Sequence, residues 1–389
     1  MPRIDNQSPT SVLAGRKIKT QKLSQGSLWL GPESADDRGG ITFSMLSRWL
    51  TCRERFRVKF VLGLSPAERF RSTMEFGNMW HVCEEALAAK RRWEDDLRRY
   101  GSELVKKYPS DQEEVQKWYN ICKTQFPVYV DYWSRHPDVK HRTPLLQEQT
   151  FHVAYRLPSG RIVYLRGKWD SVDLIGKGKD AGVFLQENKT KSRIDVVELS
   201  RQVTYDLQTM MYLVALNEYQ SINSFHDNVG GKNPVRGIRY NVVRRDCPIR
   251  QHKPSKSNPQ GETAERFYDR LRDDYFRAEP EQWFQRLKID VTPSDVQRFR
   301  RETLDPILEQ LCDWYEWVAE GPIEFAGRLL ERIQRGYEPA PHWRHPFGCV
   351  NTIDEYGASD LDEFLTTGST VGLVETRLFP ELGVNDAAR

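Results

Sequence analysis

The sequence predicts an α/β fold, and three observations lead to this class. Apolar residues recur at helical spacing from Thr42 onwards. Three apolar segments with the character of strands follow, at Leu145–Tyr155, Ile162–Leu174 and Val183–Lys189. A long helical segment then precedes a fourth strand, at Val235–Arg244. Helices, three strands, a helix and a strand in this order indicate a sheet with helices packed against it.

Helical segments precede the strands. The first helix begins near Thr42 or Ser44, either of which could cap it. Its apolar face consists of Leu46, Trp49, Leu50, Phe56 and Phe60. A second helix is predicted over about residues 74–92, and residues 94–136 form a helical insertion rich in Trp and Tyr. These aromatic side chains either pack in a core or stack on single-stranded bases.

The domain organisation follows from changes in composition along the chain. Residues 1–40 are polar and without periodicity, which predicts a flexible N-terminal arm. Residues 41–250 form the α/β core, in which one long helix is predicted over Val196–Tyr219. Pro, Ser, Lys, Asn and Gly make residues 251–263 a loop, and residues 264–389 are predicted to be a helical C-terminal region with an acidic tail.

Composition narrows the class of protein. The chain has 389 residues with 38% hydrophobic and 29% charged residues, which is enough for a sizeable core in a water-soluble protein. Its apolar runs are too short to span a membrane, and no signal peptide opens it. The six cysteines are scattered without a CxxC pair, which argues against a disulfide framework and a simple zinc site. We therefore expect a cytoplasmic protein with no membrane partner.

Two acids and a lysine lie on neighbouring strand segments. Asp170 follows Gly167 in the second segment, and Glu187 and Lys189 end the third. Because side chains alternate along a strand, Glu187 and Lys189 point to the same face. Burying two carboxylates and an ammonium together costs free energy unless a bound partner compensates for it. A hard divalent cation held by the carboxylates, with the lysine beside it, would do so.

Further motifs surround this group in a recognisable order. His81 lies in a helix before the sheet, and Gln208 and Tyr212 share a face of the helix after Lys189. With these residues the chain resembles the PD-(D/E)XK nuclease superfamily, and within it the RecB-like exonuclease branch, related to CRISPR-associated and phage exonucleases. The matching segments are Ser44–Phe56, Gly77–His81, an acid at Glu148, the GxxD motif Gly167–Asp170, the ExK motif Glu187–Lys189, the QxxxY motif Gln208–Tyr212 and the closing strand Val235–Arg244.

The resemblance implies a fold and a set of metal ligands. The fold would be a restriction-endonuclease-like core with a mixed central sheet flanked by helices. Asp170, Glu187, His81 and the backbone carbonyl of Asn188 would bind one or two Mg²⁺ or Mn²⁺ ions. An imidazole ligand suits Mn²⁺ somewhat better than Mg²⁺.

The resemblance also implies roles for three polar residues. Lys189 would stabilise the nucleophilic water or the developing charge. Gln208 would orient Lys189 or the scissile phosphate, and Tyr212 would pack or donate nearby. Read alone, Gln208 and Tyr212 could equally be a surface and a core residue of their helix.

Basic residues cluster in two segments of a chain whose net charge is only +3. Residues 41–71 hold seven basic residues against two acids, and residues 232–256 hold eight against one. Such patches either solvate helix faces or hold the phosphates of a nucleic acid at one place. The residues that we expect to contact DNA are Arg48, Arg55, Lys59, Lys191, Arg193, Arg244 and Arg245.

One feature of the RecB-like branch is missing. Many of its members hold an iron–sulfur cluster with one early cysteine and three closely spaced late ones. Cys52 occupies the early position, but the late region offers only Cys312 and Cys349, far apart. We therefore expect no iron–sulfur cluster.

These observations predict a metal-dependent DNA nuclease. The preferred reading is an exonuclease acting on DNA ends or single strands in recombination, replication or repair, with a possible protein partner in such a complex. One alternative is a structure-specific DNA endonuclease. Another is a catalytically inactive nucleic-acid-binding subunit that retains the fold, although the intact Asp170, Glu187 and Lys189 argue against it.

Overall fold

The computed structural model describes residues 28–51, 53–66, 68–136, 141–177, 181–204, 206–222, 235–254, 259–319 and 371–382. The strands are β1 (Ile41–Thr42), β2 (Leu64–Pro66), β3 (Arg142–Arg156), β4 (Ile162–Ile175), β5 (Gly182–Lys191), β6 (Val235–Arg244), β7 (Phe284–Asp290) and β8 (Leu373–Glu375). The α-helices are α1 (Phe43–Thr51), α2 (Arg53–Phe56), α3 (Ser72–Ala88), α4 (Trp93–Lys107), α5 (Gln112–Ser134), α6 (Val196–Thr204), α7 (Leu207–Ile222), α8 (Ala264–Arg270), α9 (Pro293–Phe299) and α10 (Asp305–Ala319). Segments with π-helical geometry are Arg57–Val61, Leu271–Phe276 and Arg300–Leu304, and 3₁₀ turns are Pro109–Asp111, Pro280–Gln282 and Pro380–Leu382.

The chain divides into two compact units. The first, called here the terminal unit, comprises Met1–Ala67, Arg156–Leu165 and Pro306–Arg389. The second, called the sheet unit, comprises Glu68–Tyr155 and Arg166–Asp305. All the residues predicted to bind metal or take part in catalysis belong to the sheet unit. Within the part of the chain that the structure describes, no helix has the length and apolar composition needed to cross a membrane.

Aromatic side chains form the core of the terminal unit. The Trp29 ring meets Phe56 edge-on at 5.2 Å and Tyr315 at 4.8 Å, and Phe56 also contacts Trp314 at 5.6 Å. Trp29 is fully buried and its indole N–H donates to the carbonyl of Gly40 over 2.7 Å. Residues 28–40, which the sequence assigns to the flexible arm, therefore contribute to a core. Residues 1–27 lie outside the described residues.

Two short strand pairings complete the terminal unit. β2 and β8 pair antiparallel, from Leu64↔Glu375 to Pro66↔Leu373. β1 lies beside β4, whose residues 162–165 belong to this unit.

A mixed sheet organises the sheet unit. β5 lies between β4 and β6, β7 lies beyond β6, and β3 pairs with β4. The β4–β5 and β6–β7 pairs are antiparallel, whereas β5 and β6 are parallel. Parallel strands need a crossover connection, and α6 and α7 lie within it. The described residues therefore confirm the predicted α/β fold with a mixed sheet.

Helices pack on both faces of this sheet. On one face, the α3–α5 layer buries aromatic side chains against Val243 of β6 and Phe284 of β7. On the other face, the Thr209 hydroxyl of α7 lies 2.6 Å from the hydroxyl of Tyr240 on β6. Trp118, Phe126, Tyr129 and Trp133 of the predicted insertion are buried in the first layer. These aromatic residues therefore serve core packing and not base stacking.

Two elements differ from the prediction. The single helix expected over Val196–Tyr219 is two helices, because Asp206 caps the second one. Its carboxylate accepts the main-chain N–H of Thr209 over 3.3 Å, which caps the start of α7. The region after residue 264, predicted to be mostly helical, also contains β7, which pairs with β6.

A buried polar layer links the strands of the sheet unit. Asp173 on β4 is fully buried and accepts hydrogen bonds from Arg239 over 2.9 Å and from Arg142 over 2.8 Å. The Ser171 hydroxyl donates to the same carboxylate over 2.6 Å. Gln186 of β5 also accepts a hydrogen bond from Arg239. One carboxylate therefore connects β3, β4 and, through Arg239, β5 and β6.

Loss of the Asp173 charge should destabilise the sheet unit strongly. We expect Asp173→Asn to lower the free energy of unfolding by about 3–5 kcal/mol, because Arg239 would remain buried without its counter-charge. Urea denaturation followed by circular dichroism measures this change. Asp131→Asn is the matched control, since Asp131 pairs with Arg135 on the surface and should matter little. Equal free energies of unfolding for the two variants would contradict a large contribution of the buried Asp173–Arg239 pair to stability.

Candidate metal centre

Asp170 lies where the pairing of β4 with β5 ends. The two strands pair from Ile175↔Gly182 to Ser171↔Gln186. Beside this last pair, the main-chain N–H of Asn188 donates to the Asp170 carboxylate over 2.8 Å. A side-chain carboxylate thus takes the place that a neighbouring strand carbonyl would have in a continued ladder. This bond holds Asp170 against β5.

Close packing explains the glycine three residues before Asp170. A Cβ atom at Gly167 would lie 2.5 Å from the Phe151 ring and 3.0 Å from the Tyr212 ring. Phe151 stacks on Trp169 with ring centroids 4.4 Å apart, and the Trp169 indole N–H donates to the Tyr212 carbonyl over 3.3 Å. Tyr212 is buried in this cluster. Of the two roles predicted for Tyr212, packing beneath the GxxD segment is the one that these contacts favour.

Three potential metal ligands converge next to Asp170. His81, Glu148 and Asp170 each offer one ligand atom, and these atoms lie within 4.8 Å of one another. Nδ1 of His81 is 3.7 Å from Oδ1 of Asp170. Because bonds from oxygen to Mg²⁺ or Ca²⁺ span about 2.0–2.6 Å, one ion could contact all three after small side-chain movements. The group comes from α3, β3 and β4.

Glu148 has an unusual backbone conformation. Its φ is +47°, in the left-handed region, although it lies within β3 and is not a glycine. Such strain costs on the order of 1–3 kcal/mol and tends to occur at functional sites. Oε2 of Glu148 is 2.6 Å from the ammonium of Lys168.

Glu187, Lys189 and Gln208 form a second, adjoining group. The Lys189 ammonium lies 3.0 Å from Oε1 of Glu187 and donates to the Gln208 side-chain carbonyl over 2.5 Å. The Gln208 amide in turn donates to Glu187 over 2.8 Å. Oε2 of Glu187 is buried and accepts no hydrogen bond from any residue that the structure describes. A buried carboxylate oxygen with no such donor is a suitable metal ligand, so the residues present fit a divalent cation.

Burial raises the pKa values of the three acids. Desolvation brings the pKa of Asp170 to about 6, against the lowering effects of the Asn188 N–H and of Lys189. Desolvation likewise brings the pKa of Glu187 to about 7, with Lys189 lowering it and Asp170 raising it. The pKa of Glu148 rises to about 7 by desolvation and by the charge of Asp170. A bound cation would favour the ionised form of each group.

The structure brings most of the predicted site residues together. His81, Asp170, Glu187, Lys189 and Gln208 occupy the two adjoining groups described above. Asn188 contributes its N–H to Asp170, and its side-chain carbonyl accepts from Asn241 within the polar layer over 3.0 Å. Its main-chain carbonyl stays a predicted ligand.

Two features of this centre were not predicted from the sequence. Glu148 was matched to the acid that the family often has on this strand, but it was not placed among the metal ligands. No role was predicted for Lys168, which pairs with Glu148. The sequence offered one signal for Lys168. It is a charged residue at an x position of the GxxD motif, where the motif itself requires no charge.

The residues predicted to contact DNA stay predictions. In the sheet unit, Arg193 is exposed, Lys191 is half-buried, and Arg244 stacks on Trp283 at 4.8 Å. Arg245 is largely buried and pairs with Asp246 over 3.3 Å. In the terminal unit, Arg48 and Lys59 are half-buried, and the side chain of Arg55 lies outside the described part of the chain.

The cysteines considered for a cluster are only partly described. Cys312 is buried in the terminal unit. Cys52 and Cys349 lie outside the described residues.

Comparison with known proteins identifies the family. The sequence profile of the PD-(D/E)XK nuclease superfamily matches residues 41–315. This match covers more than half of the chain and includes both groups of the candidate centre. Among curated proteins, none matches this sequence. The mixed sheet with helices on both faces agrees with the restriction-endonuclease-like core predicted from the sequence.

Divalent cations should stabilise the protein in a pH-dependent way. Because the folded-state pKa values of Asp170, Glu187 and Glu148 lie above their ordinary values near 4, the folded state binds more protons between about pH 4 and 7. Without metal, stability from these groups should therefore fall as pH rises through this window. Above pH 7 the acids are ionised, and a cation binds them without displacing protons.

We accordingly expect Mn²⁺ to raise the melting temperature more at pH 8 than at pH 6. Thermal denaturation at both pH values, with Mn²⁺ or with EDTA, measures the difference. Asp170→Asn should lose most of the Mn²⁺-induced shift at either pH. An equal shift at the two pH values would contradict the assignment of these carboxylates as ligands.

Proposed function

The chain belongs to the PD-(D/E)XK nuclease superfamily, and from this we propose that it hydrolyses DNA phosphodiester bonds at the centre built on Asp170, Glu187 and Lys189. The observation that carries the proposal is the electrostatic coupling of the two groups of this centre, in which Lys189 lowers the pKa of Asp170 and Asp170 raises the pKa of Glu187. In this proposal the acids hold a cation, and the ammonium of Lys189 lies 3.0 Å from the Glu187 carboxylate. This arrangement suits a reaction in which negative charge grows beside a bound ion.

The metal ligands in this proposal are Asp170, Glu187 and His81, with Glu148 as an additional carboxylate. PD-(D/E)XK nucleases use divalent metal ions, and we propose Mg²⁺ or Mn²⁺ here. When bound, the cation neutralises phosphate oxygens and lowers the pKa of water to make hydroxide available near neutral pH. The imidazole of His81 makes Mn²⁺ the better-suited ion of the two.

Lys189 is proposed to stabilise the transition state. Its ammonium keeps its charge, because the lowering of its pKa by burial is outweighed by the neighbouring acids, Glu187 first. A fixed cation in a water-poor site stabilises the charge that develops on the phosphate more effectively than a mobile one. Gln208 supplies this fixation, since it accepts from Lys189 and donates to Glu187. In this proposal Gln208 is a positioning residue and Tyr212 supports the packing beneath Gly167.

DNA is the proposed substrate, and contact with its phosphates would be independent of sequence. Lys191 and Arg193 follow the ExK segment directly along the chain, and Arg244 and Arg245 end the neighbouring strand β6. We assign the phosphate contacts to these residues and, in the terminal unit, to Arg48, Arg55 and Lys59. Such binding weakens steeply as salt concentration increases.

Within this class, we propose a RecB-like exonuclease that acts on DNA ends or single strands in the cytoplasm, in recombination, replication or repair. The support is the order of the sequence motifs, in which His81 precedes the acids and Gln208 and Tyr212 follow them. A protein partner in a recombination or replication complex is part of the same proposal.

Removal of the Lys189 charge should impair cleavage and not binding. We expect Lys189→Met to lower the cleavage rate about a hundredfold to a thousandfold, because one preorganised charge is lost from the transition state. Binding to a labelled duplex, measured by fluorescence anisotropy in EDTA, should change little. Lys117→Met is the matched control, since Lys117 pairs with Glu114 on an exposed surface. Cleavage by Lys189→Met at the wild-type rate would refute the site assignment.

The topology of the substrate distinguishes the exonuclease from its alternatives. We expect degradation of linear DNA from its ends with Mg²⁺ or Mn²⁺, and no cutting of closed circles, because the proposed activity needs an end. Gel assays on linear and circular plasmid with each metal, and with EDTA as the control, measure this. Nicking of circles would favour an endonuclease. Binding without cleavage would favour a non-catalytic subunit.

A further inference from the structure

Lys168 lies among acidic side chains at the edge of the candidate metal centre. Its ammonium is 2.6 Å from Oε2 of Glu148 and 3.8 Å from Oε2 of Glu85. Glu85 belongs to α3, one turn beyond His81, and the side chain of Lys168 is only 28% exposed. Partial burial reduces screening by solvent, so these charges interact more strongly than they would on an open surface.

Glu148 takes part in two arrangements that compete with each other. One of its oxygens is bound by Lys168, and the same residue belongs to the ligand group with His81 and Asp170. A cation bound by this group would be close to the ammonium of Lys168, and the two positive charges would repel each other.

Glu85 offers the ammonium a second position. Lys168 is attracted by the charges of Glu148, Glu85 and Asp170, in that order. The Lys168 ammonium is now 3.8 Å from Glu85, and the flexible lysine side chain can shorten this distance. Glu85 also lies 3.5 Å from Arg91, so it is already part of a charged surface cluster.

We infer that Lys168 is a built-in competitor of the metal ion, which holds Glu148 in the metal-free protein and moves toward Glu85 when a divalent cation binds. This inference rests on the proposed metal centre and goes beyond it. Lys168 then lowers the affinity of the centre for cations and stabilises the metal-free fold. A purely structural ion pair would have the second effect without the first.

A double-mutant cycle on metal binding tests this inference. Mn²⁺ binding is measured by isothermal titration calorimetry, without DNA, for the wild type, Lys168→Met, Glu148→Gln and the double variant. We expect Lys168→Met to bind Mn²⁺ about tenfold more tightly, since the competitor is gone while side-chain length is kept. In the Glu148→Gln background the same substitution should change affinity less than about threefold, because its target is absent.

Two results would overturn the inference. One is unchanged or weaker Mn²⁺ binding by Lys168→Met, which would leave Lys168 as a structural residue. The other is equal tightening in both backgrounds, which would indicate a general effect of charge and not competition for Glu148. Lys168→Arg keeps the charge and should retain wild-type affinity within about threefold. Lys168→Gln replaces Lys168→Met if the latter does not fold, as judged by circular dichroism.

The readout separates this inference from the proposed function. Wild-type Mn²⁺ binding without any DNA cleavage would refute the nuclease proposal and leave the competition testable. Cleavage with an unchanged affinity in Lys168→Met would refute the competition alone. Failure of the folded wild type to bind Mn²⁺ would refute both.

Discussion

Burial of negative charge where β4 and β5 cease to pair is the constraint on which the centre depends. Desolvation raises the pKa of Asp170 to about 6 and the pKa values of Glu187 and Glu148 to about 7. Such groups remain ionised near neutral pH only if positive charge or hydrogen-bond donors face them. Each carboxylate faces a group that favours its ionised form: the main-chain N–H of Asn188 for Asp170, Lys189 for Glu187 and Lys168 for Glu148.

Acids on the two faces of β4 are stabilised by different partners. Asp173 meets Arg239 and Arg142, so its charge is neutralised inside the protein and serves to hold strands together. Asp170, on the alternate face of β4, accepts a hydrogen bond from the main-chain N–H of Asn188 instead. A fully paired acid is a poor metal ligand because the cation would have to displace its partner. The alternation of a single strand thus separates a structural carboxylate from one that can take a ligand.

The sequence was informative where function requires particular residue types at fixed positions. Asp170, Glu187 and Lys189 could be predicted as a group, because alternation within β5 and the adjacency of β4 leave few other arrangements. The position of Asp206 was not used, so the break between α6 and α7 was missed, although an acid before a helix is a known cap. β7 was missed because Phe284–Asp290 is short and lies between helices, and its pairing with β6 is a long-range contact that local patterns do not encode.

Glu148 and Lys168 show where local reasoning ends. Glu148 is positioned by the pairing of β3 with β4 and by its unusual φ value. Neither feature can be recognised from hydrophobic periodicity in the sequence. Lys168 and Lys189 are both half-buried lysines beside glutamates, yet their surroundings differ. Lys189 is held by Gln208 as well as by Glu187, so its ammonium has one position. Within the described residues, the Lys168 ammonium contacts Glu148 closely and Glu85 only at 3.8 Å, which leaves it able to move.

This difference in anchoring supports the different tasks proposed for the two lysines. A charge that stabilises a transition state must already be in place, because reorganisation would consume the energy gained. A charge that yields to an incoming cation must be able to leave, and must have another acid to which it can go. Lys189 meets the first requirement and Lys168 the second. Under the proposed function, the same residue type would serve catalysis and metal loading within one small centre, and the neighbours of each ammonium would decide which task it has.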